Sequence, residues 1–237
     1  FVGADQKGYG SPVTEAARAA DSIIEKALAD LVPGLPMVGE EATAEGRIPD
    51  LSGADYFWMV DPLDGTKEFI SGSGDYTVNI ALIHKDTHVL GVVYAPVRGE
   101  LYACAGAGTA VRYLEETDKE KEIAVRRPPK EGLTIVASRS HGSGSALDTF
   151  LADYKIEKII KRGSSLKICA VAAGKADMYP RFGPTCEWDT AAGDAVLRAA
   201  GGLITDFDGN PLRYGKAGEK FLNPEFLACP ESLRLAA

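Results

Sequence analysis

Apolar positions recur along the chain in two rhythms. After Ser11-Pro12-Val13-Thr14, the residues Ala16, Ala20, Ile23, Ile24, Ala27, Leu28 and Leu31 repeat at the helical period and stop at Pro33-Gly34. That spacing predicts an amphipathic helix laid over a core. Tyr56-Phe57-Trp58-Met59-Val60 is an unbroken apolar run, predicting a buried strand, and Asp61-Pro62-Leu63-Asp64-Gly65-Thr66 closes it as a turn. Further strands are predicted at residues 77–83, 89–94 and 109–113, the first two joined near Lys85-Asp86. The first half therefore reads as strand-rich and antiparallel, with the charge run at 115–122 (EETDKEKE) as a solvated loop.

Beyond residue 129 the rhythm changes. Strand-like segments at 133–137, 156–161, 176–179 and 203–206 alternate with helical ones at 145–153, 164–173 and 189–200. Such alternation implies an α/β layered architecture. Residues 126–130, with two prolines, are expected to hinge an N-terminal α+β half (1–128), carrying most of the acidic candidates, to a C-terminal α/β half (129–237).

Composition narrows the function. The 237 residues are 45% hydrophobic and 25% charged, an ordinary globular balance, and a chain this long folds without a metal or disulfide staple. A metal here is expected to be catalytic. Lys plus Arg number 26 against 34 for Asp plus Glu, a net charge of −8, which disfavours nucleic-acid polymers as partners. A small anionic ligand would need local positive charge. Cys104, Cys169, Cys186 and Cys229 show neither C-x-x-C nor zinc-ligand spacing, so a reducing compartment is expected, with Cys186 an inert buried thiol. No stretch is long and apolar enough for a transmembrane segment, and no signal peptide is visible. The expected location is cytoplasmic, compatible with peripheral association at the inner membrane, as a monomer or a homodimer.

Asp61 and Asp64 stand three residues apart on a Pro- and Gly-constrained turn, hard oxygen ligands suited to Mg2+. Taken alone, the same spacing is better read as an Asx turn capping a strand. Gly39-Glu40-Glu41 offers carboxylates after another short apolar stretch, and Asp189, following Trp188, is by itself a good helix N-cap. Together Glu40, Asp61, Asp64 and Asp189 match the charge of two Mg2+ ions, the requirement of a two-metal phosphoryl-transfer site. The amides of Gly65 and Thr66 can receive a phosphate at a helix start, and the Thr66 hydroxyl can orient a water. Lys161, Arg162, Lys167 and Arg181 surround the segment 163–167 as local positive charge. Ser164-x-x-Lys167 has the form of a serine β-lactamase motif, but its S-D-N and K-T-G companions are absent, which removes acyl-enzyme chemistry. His84 and His88 are expected at a solvated hairpin; His141, within Ser138-Arg139-Ser140-His141, is expected to line a binding site.

The segments GEEA (from Gly39), DPLDGTKEF (from Asp61) and WDTAAGDAVLRAAGG (from Trp188) resemble, in that order, the inositol monophosphatase superfamily of Mg-dependent, lithium-sensitive phosphatases. The resemblance spans residues 11–229. It implies a layered αβαβα sugar-phosphatase fold, with Glu40, Asp61, the Leu63 carbonyl, Asp64 and Asp189 as metal ligands. Lys67-Glu68-Phe69, GVVYAPVRGELY (from Gly91), the 138–141 segment, GSSLK (from Gly163) and ADMYPRFGPTCEWD (from Ala176) further resemble the 3′(2′),5′-bisphosphate nucleotidases. This implies a small phosphorylated nucleotide as partner and hydrolysis of adenosine 3′,5′-bisphosphate to AMP by in-line water attack. Glu40, Thr66 and Asp64 would then be catalytic. Gly65, Thr66, Ser138, Arg139, His141, Ser164, Lys167, Arg181 and Asp189 would touch substrate. An inositol- or sugar-phosphate phosphatase is the alternative on the same fold.

One position departs from the family. Its early helix reads P-V-T-x-A-D, the Asp helping to activate the water, where this chain has Ala17. Loss of a general base lowers rate by ~10²- to 10⁴-fold, so a catalytically impaired nucleotide-binding form is a further reading. The family also usually carries a helix ahead of this region, and one is expected upstream of Phe1.

Overall fold

The computed structural model describes residues 4–6, 12–138 and 145–234. Strand β1 (Ala4–Gln6) pairs antiparallel with β2 (Pro12–Thr14). Thr14 then starts helix α1 (Glu15–Leu31), its hydroxyl accepting the Ala17 amide at 3.1 Å. The buried face of α1 is Ala17, Asp21 and Leu28, while Ile23 and Leu31 are each 69% exposed. The helix is where its periodicity predicts, but rotated, because the polar Asp21 occupies an inward position that an apolar count passes over.

Strand β3 (Met37–Gly39) runs parallel to β4 (Tyr56–Asp64), with helix α2 (Glu40–Ala44) between them in sequence. The run from Asp61 does not reverse the chain: β4 continues to Asp64 with an irregular register between Asp61 and Asp64. The chain turns one residue later at Gly65, whose φ of +91° is left-handed, and enters α3 (Thr66–Ile70). Strands β5 (Thr77–His84), β6 (Thr87–Ala95), β7 (Glu100–Cys104), β8 (Val111–Leu114) and β9 (Lys119–Glu122) then add antiparallel in chain order, completing a seven-stranded sheet. Strands β7 and β9 were not expected. Part of the charge run folds as β9, an exposed edge strand whose Lys and Glu residues deter edge-to-edge pairing.

In the second half, β10 (Leu133–Ser138) and β11 (Ile156–Arg162) are parallel neighbours linked through α4 (Ser145–Leu151). Helix α5 (Leu166–Ala172), β12 (Tyr179–Arg181), α6 (Glu187–Ala199), β13 (Gly202–Asp206), β14 (Phe226–Pro230) and α7 (Glu231–Arg234) follow. The strand expected at 176–179 is displaced to β12; β14, the central strand of the β12-β14-β13 sheet, and α7 were not expected.

Layering follows from what each helix covers. Leu28 of α1 packs on Trp58 and Val60 on one face of the large sheet. Helix α6 lies against the other face, so close that a Cβ at Gly91 would stand 2.5 Å from the Ala192 carbonyl oxygen. A single core joins Phe57, Tyr102, Ile168, Trp188, Phe221 and Phe226 across both halves. Leu147, Leu151 and Leu233 cover the outer side of the second sheet region. The order is helix, sheet, helix, sheet, helix, as the resemblance implies. His88 is not solvated: its Nε2 lies 3.2 Å from the Asp194 carboxylate on α6, and His84 stacks on Tyr56 with ring centroids 4.5 Å apart.

Candidate active site

Three chain segments converge at one end of the large sheet. Gly39 is paired with Val60, so Glu40, the first residue of α2, stands beside Asp61 and shares a hydrogen bond with it. The end of β4 supplies Asp61, Leu63 and Asp64, and the first turn of α6 supplies Asp189. Carboxylate oxygens of Asp61, Asp64 and Asp189 all lie within 4.8 Å of one another. Burial, then repulsion from Glu40, Asp64 and Asp189, holds the Asp61 carboxyl well above the ordinary range. Burial, with Asp64 and Glu40, pushes Asp189 up to about 8, and burial raises Asp64 against the opposing pull of Lys167 and Ser165. These groups resist full ionisation at neutral pH without a cation among them. As hard oxygen donors converging within ligand reach, they fit a divalent metal ion.

Neighbouring groups orient the donors. Asp61 Oδ1 accepts the Leu63 amide at 2.9 Å, so the Asx turn and the metal-ligand geometry coexist. Asp64 Oδ2 accepts the Ser165 amide at 2.6 Å and lies 2.9 Å from the Ser165 hydroxyl and 3.4 Å from Asn79 Nδ2. Asp189 is not the N-cap of α6. Cys186 is, and Asp189, three residues on in the first turn, accepts the Cys186 amide through Oδ2 at 2.8 Å. Ser165 and Asn79 were missed from sequence. Asn79 did carry a signal, as a polar residue that, like Thr77, takes an inward position of β5 alongside Ala81 and Ile83.

The acidic cluster opens into a cavity of about 760 Å³. Its wall includes Gly65, Thr66, Ser138, Ser164, Lys167 and Arg181, so the structure brings these predicted residues together. Arg139 and His141 lie outside the described residues, and Lys161 and Arg162 are not on the wall. The Thr66 hydroxyl donates to the Leu63 carbonyl at 3.4 Å. Lys167 is buried and turned back: Nζ donates to the Ser164 carbonyl at 2.7 Å and sits 5.5 Å from the Tyr179 ring centroid. Burial pulls its pKa down to about 8, with Asp64 acting in the opposite sense. Arg181 donates to the carbonyls of Gly183 and Pro184 at 3.1 and 3.0 Å. Burial pushes the Cys186 thiol up, which keeps it protonated. Lys67 and Lys220 also line the cavity.

Position 17 presents only a methyl group, buried beside Thr14. One helical turn on, Asp21 is 2% exposed but off the cavity wall; its Oδ1 has no hydrogen-bond partner among the described residues.

A converging set of oxygen donors at a sheet end, in a helix-sheet-helix-sheet-helix stack, defines the class of metal-assisted phosphoryl-transfer folds. The chain belongs to the inositol monophosphatase family, whose model matches residues 2–230. It is 46% identical over 222 residues to the 3′(2′),5′-bisphosphate nucleotidase CysQ of Escherichia coli K12, covering 93% of this chain and 86% of that protein. The protein of the same name from Buchnera aphidicola is 40% identical over 233 residues, covering 96% and 84%. The crystal structure of CysQ from Bacteroides thetaiotaomicron superposes with a TM-score of 0.75 at 38% identity, covering 89% of this chain and 83% of that one. The extragenic suppressor protein suhB from Bartonella henselae superposes with a TM-score of 0.77 at 26% identity, covering 99% and 86%.

Proposed function

We propose that this chain is a Mg2+-dependent 3′(2′),5′-bisphosphate nucleotidase that hydrolyses adenosine 3′,5′-bisphosphate to AMP and phosphate. The observation that carries the reading is the Asp61, Asp64 and Asp189 cluster, held above its ordinary ionisation range and opening into the nucleotide-sized cavity. The names of the relatives above point to the same substrate. Asp61, Asp64, Asp189, Glu40 and the Leu63 carbonyl would hold the metal. When bound, the ion balances the charge of the phosphate and makes water more acidic.

The chain's own residues supply the rest. The Gly65 and Thr66 amides receive the scissile phosphate at the turn into α3. Glu40 and the Thr66 hydroxyl, anchored to the Leu63 carbonyl, orient the water opposite the leaving oxygen. Ser165 keeps Asp64 in its ligating rotamer. Ser138, Ser164 and Arg181, joined by Arg139 and His141, hold the nucleotide. With Ala17 in place of a carboxylate, less proton acceptance is available to the water, so turnover is reduced while metal and substrate binding persist.

Phosphate release is measured from adenosine 3′,5′-bisphosphate and from inositol 1-phosphate, with and without Mg2+, on this chain and on Ala17→Asp. Mg-dependent preference for the nucleotide is expected in both proteins, with the substituted one faster by about 10²-fold or more. Preference for inositol 1-phosphate would refute the substrate assignment.

A further inference from the structure

Ser165 holds the Asp64 carboxylate, and Ser165 is itself held from a second side. The donors around Asp64 all meet one oxygen. Oδ2 accepts the Ser165 amide at 2.6 Å and has the Ser165 hydroxyl at 2.9 Å, Asn79 Nδ2 at 3.4 Å and the Thr77 hydroxyl at 3.5 Å. Among the described residues no hydrogen bond engages Oδ1, which leaves that oxygen for a cation.

Asn79, on β5 and directly across from Asp61, donates through Nδ2 to the Ser165 hydroxyl at 2.8 Å. The same hydroxyl lies 2.9 Å from Asp64 Oδ2 and 2.9 Å from the Asp189 main-chain carbonyl. A serine hydroxyl carries one proton. With Asn79 as donor to it, Ser165 turns that proton toward the oxygens of the two metal-ligand segments. Asn79 and Ser165 thus tie the end of β4, the start of α5 and the first turn of α6 together.

This tie is kept at a cost to folding. Asn79 is 1% exposed, and its Oδ1 is buried with no hydrogen-bond partner among the described residues. An amide oxygen buried without a donor is unfavourable, and an apolar side chain like those of Ala81 and Ile83 on the same face avoids it. Turning the amide over is no remedy, since its oxygen would then face the Asp64 carboxylate and Ser165 would lose its donor. A buried polar group that is half unsatisfied, with its satisfied half on the acidic cluster, calls for a role in that cluster.

We propose that Asn79 is a positioning residue for the metal centre: by donating to Ser165 it fixes Asp64 against the first turn of α6, and so sets the affinity of the site for Mg2+. This rests on the metal-binding part of the reading above. Groups that orient metal ligands govern about 10- to 100-fold of metal affinity.

The test titrates Mg2+ calorimetrically, without substrate, into wild type, Asn79→Ala, Asn79→Val, Ser165→Ala and the Asn79→Ala, Ser165→Ala double variant. Each is also unfolded in urea with chelator. Both Asn79 variants are expected to bind Mg2+ about tenfold more weakly, the valine filling the space that the alanine leaves. The Mg2+ concentration for half-maximal hydrolysis of the bisphosphate should rise by the same factor, with kcat recovered at saturating Mg2+. Because Asn79 acts through Ser165, the double variant should bind no more weakly than Ser165→Ala. The urea midpoint of metal-free Asn79→Val should hold, since the lost donor is offset by removal of the orphaned oxygen. Unchanged Mg2+ affinity in both Asn79 variants, with or without a lower urea midpoint, or additive losses in the double variant, would overturn the assignment. A wild-type protein that binds Mg2+ but releases no phosphate from the bisphosphate would refute the nucleotidase reading and leave Asn79 in its role; one that binds no Mg2+ would remove both.

Discussion

Asp21→Asn tests whether a buried carboxylate on the helix that covers the sheet is a net liability. Asp21 is 2% exposed, its Oδ1 has no hydrogen-bond partner among the described residues, and its nearest cation, the half-exposed Arg47, is 3.9 Å away. Burial, then the like charges of Glu25 and Glu41, raises its pKa from 3.8 to about 6. Below pH 4 both folded and unfolded forms carry the proton and the group is neutral in its effect. Between pH 4 and 6 the unfolded chain ionises while the native state retains the proton, so stability falls as pH rises, and above 6 the full penalty is in force. A shift of roughly two pH units corresponds to about 3 kcal/mol at the full penalty. Asparagine keeps the shape and removes the charge, so at pH 7.5 the variant should be more stable by about 2–3 kcal/mol, raising Tm by about 5–10 °C for a chain of this size. The advantage should vanish below pH 4. Urea or thermal unfolding of both proteins in chelator, from pH 4 to 8, reads the difference and cancels other titrating groups. Parallel pH profiles, or a less stable variant at pH 7.5, would show that the Asp21 carboxylate is not held against its solvation.

Two further expectations concern the site. Asp189→Asn should abolish metal-dependent turnover and weaken Mg2+ binding in calorimetric titration. Because the folded pKa of Asp189 is raised from 3.8 to about 8, the same variant should stabilise the metal-free protein at neutral pH, an advantage that shrinks steadily as pH falls from about 8 and is gone below about 4. Gly65→Ala forces a side chain into a φ of +91°, with its Cβ 3.3 Å from the Asp75 carbonyl oxygen. It should destabilise by about 1–3 kcal/mol in urea unfolding and reduce kcat out of proportion, since Thr66 begins the next helix.

The elements that periodicity finds are those with uniform faces. Strand β5 alternates buried and half-buried residues along its length, and the long helices announce themselves by spacing and by stops such as Pro33-Gly34. Failures occur where a residue's role contradicts its type. Asp21 points inward and so disguises the true face of α1, and the charged β9 reads as a loop because its edge position leaves all its side chains in water. Strand β14, whose five residues are buried, is an apolar run too short to distinguish from other buried segments before its partners β12 and β13 are known.

The acidic residues of the site were legible as types and spacings: Asp61 and Asp64 on one short run, Glu40 after a short apolar stretch, Asp189 after Trp188. Their joint meaning came through resemblance to a family, because local spacing alone could not separate an Asx turn or helix cap from a metal ligand. Tertiary structure decided the convergence. Parallel pairing of β3 with β4 sets Glu40 beside Asp61, and the packing of α6 through Gly91 brings Asp189 from the other half of the chain. It also decided where the cations sit, with Lys167 and Arg181 turned onto backbone carbonyls at the cavity wall. Desolvation and charge repulsion act over a few ångströms in space, so residues more than a hundred positions apart shift one another's protonation only after the chain has folded.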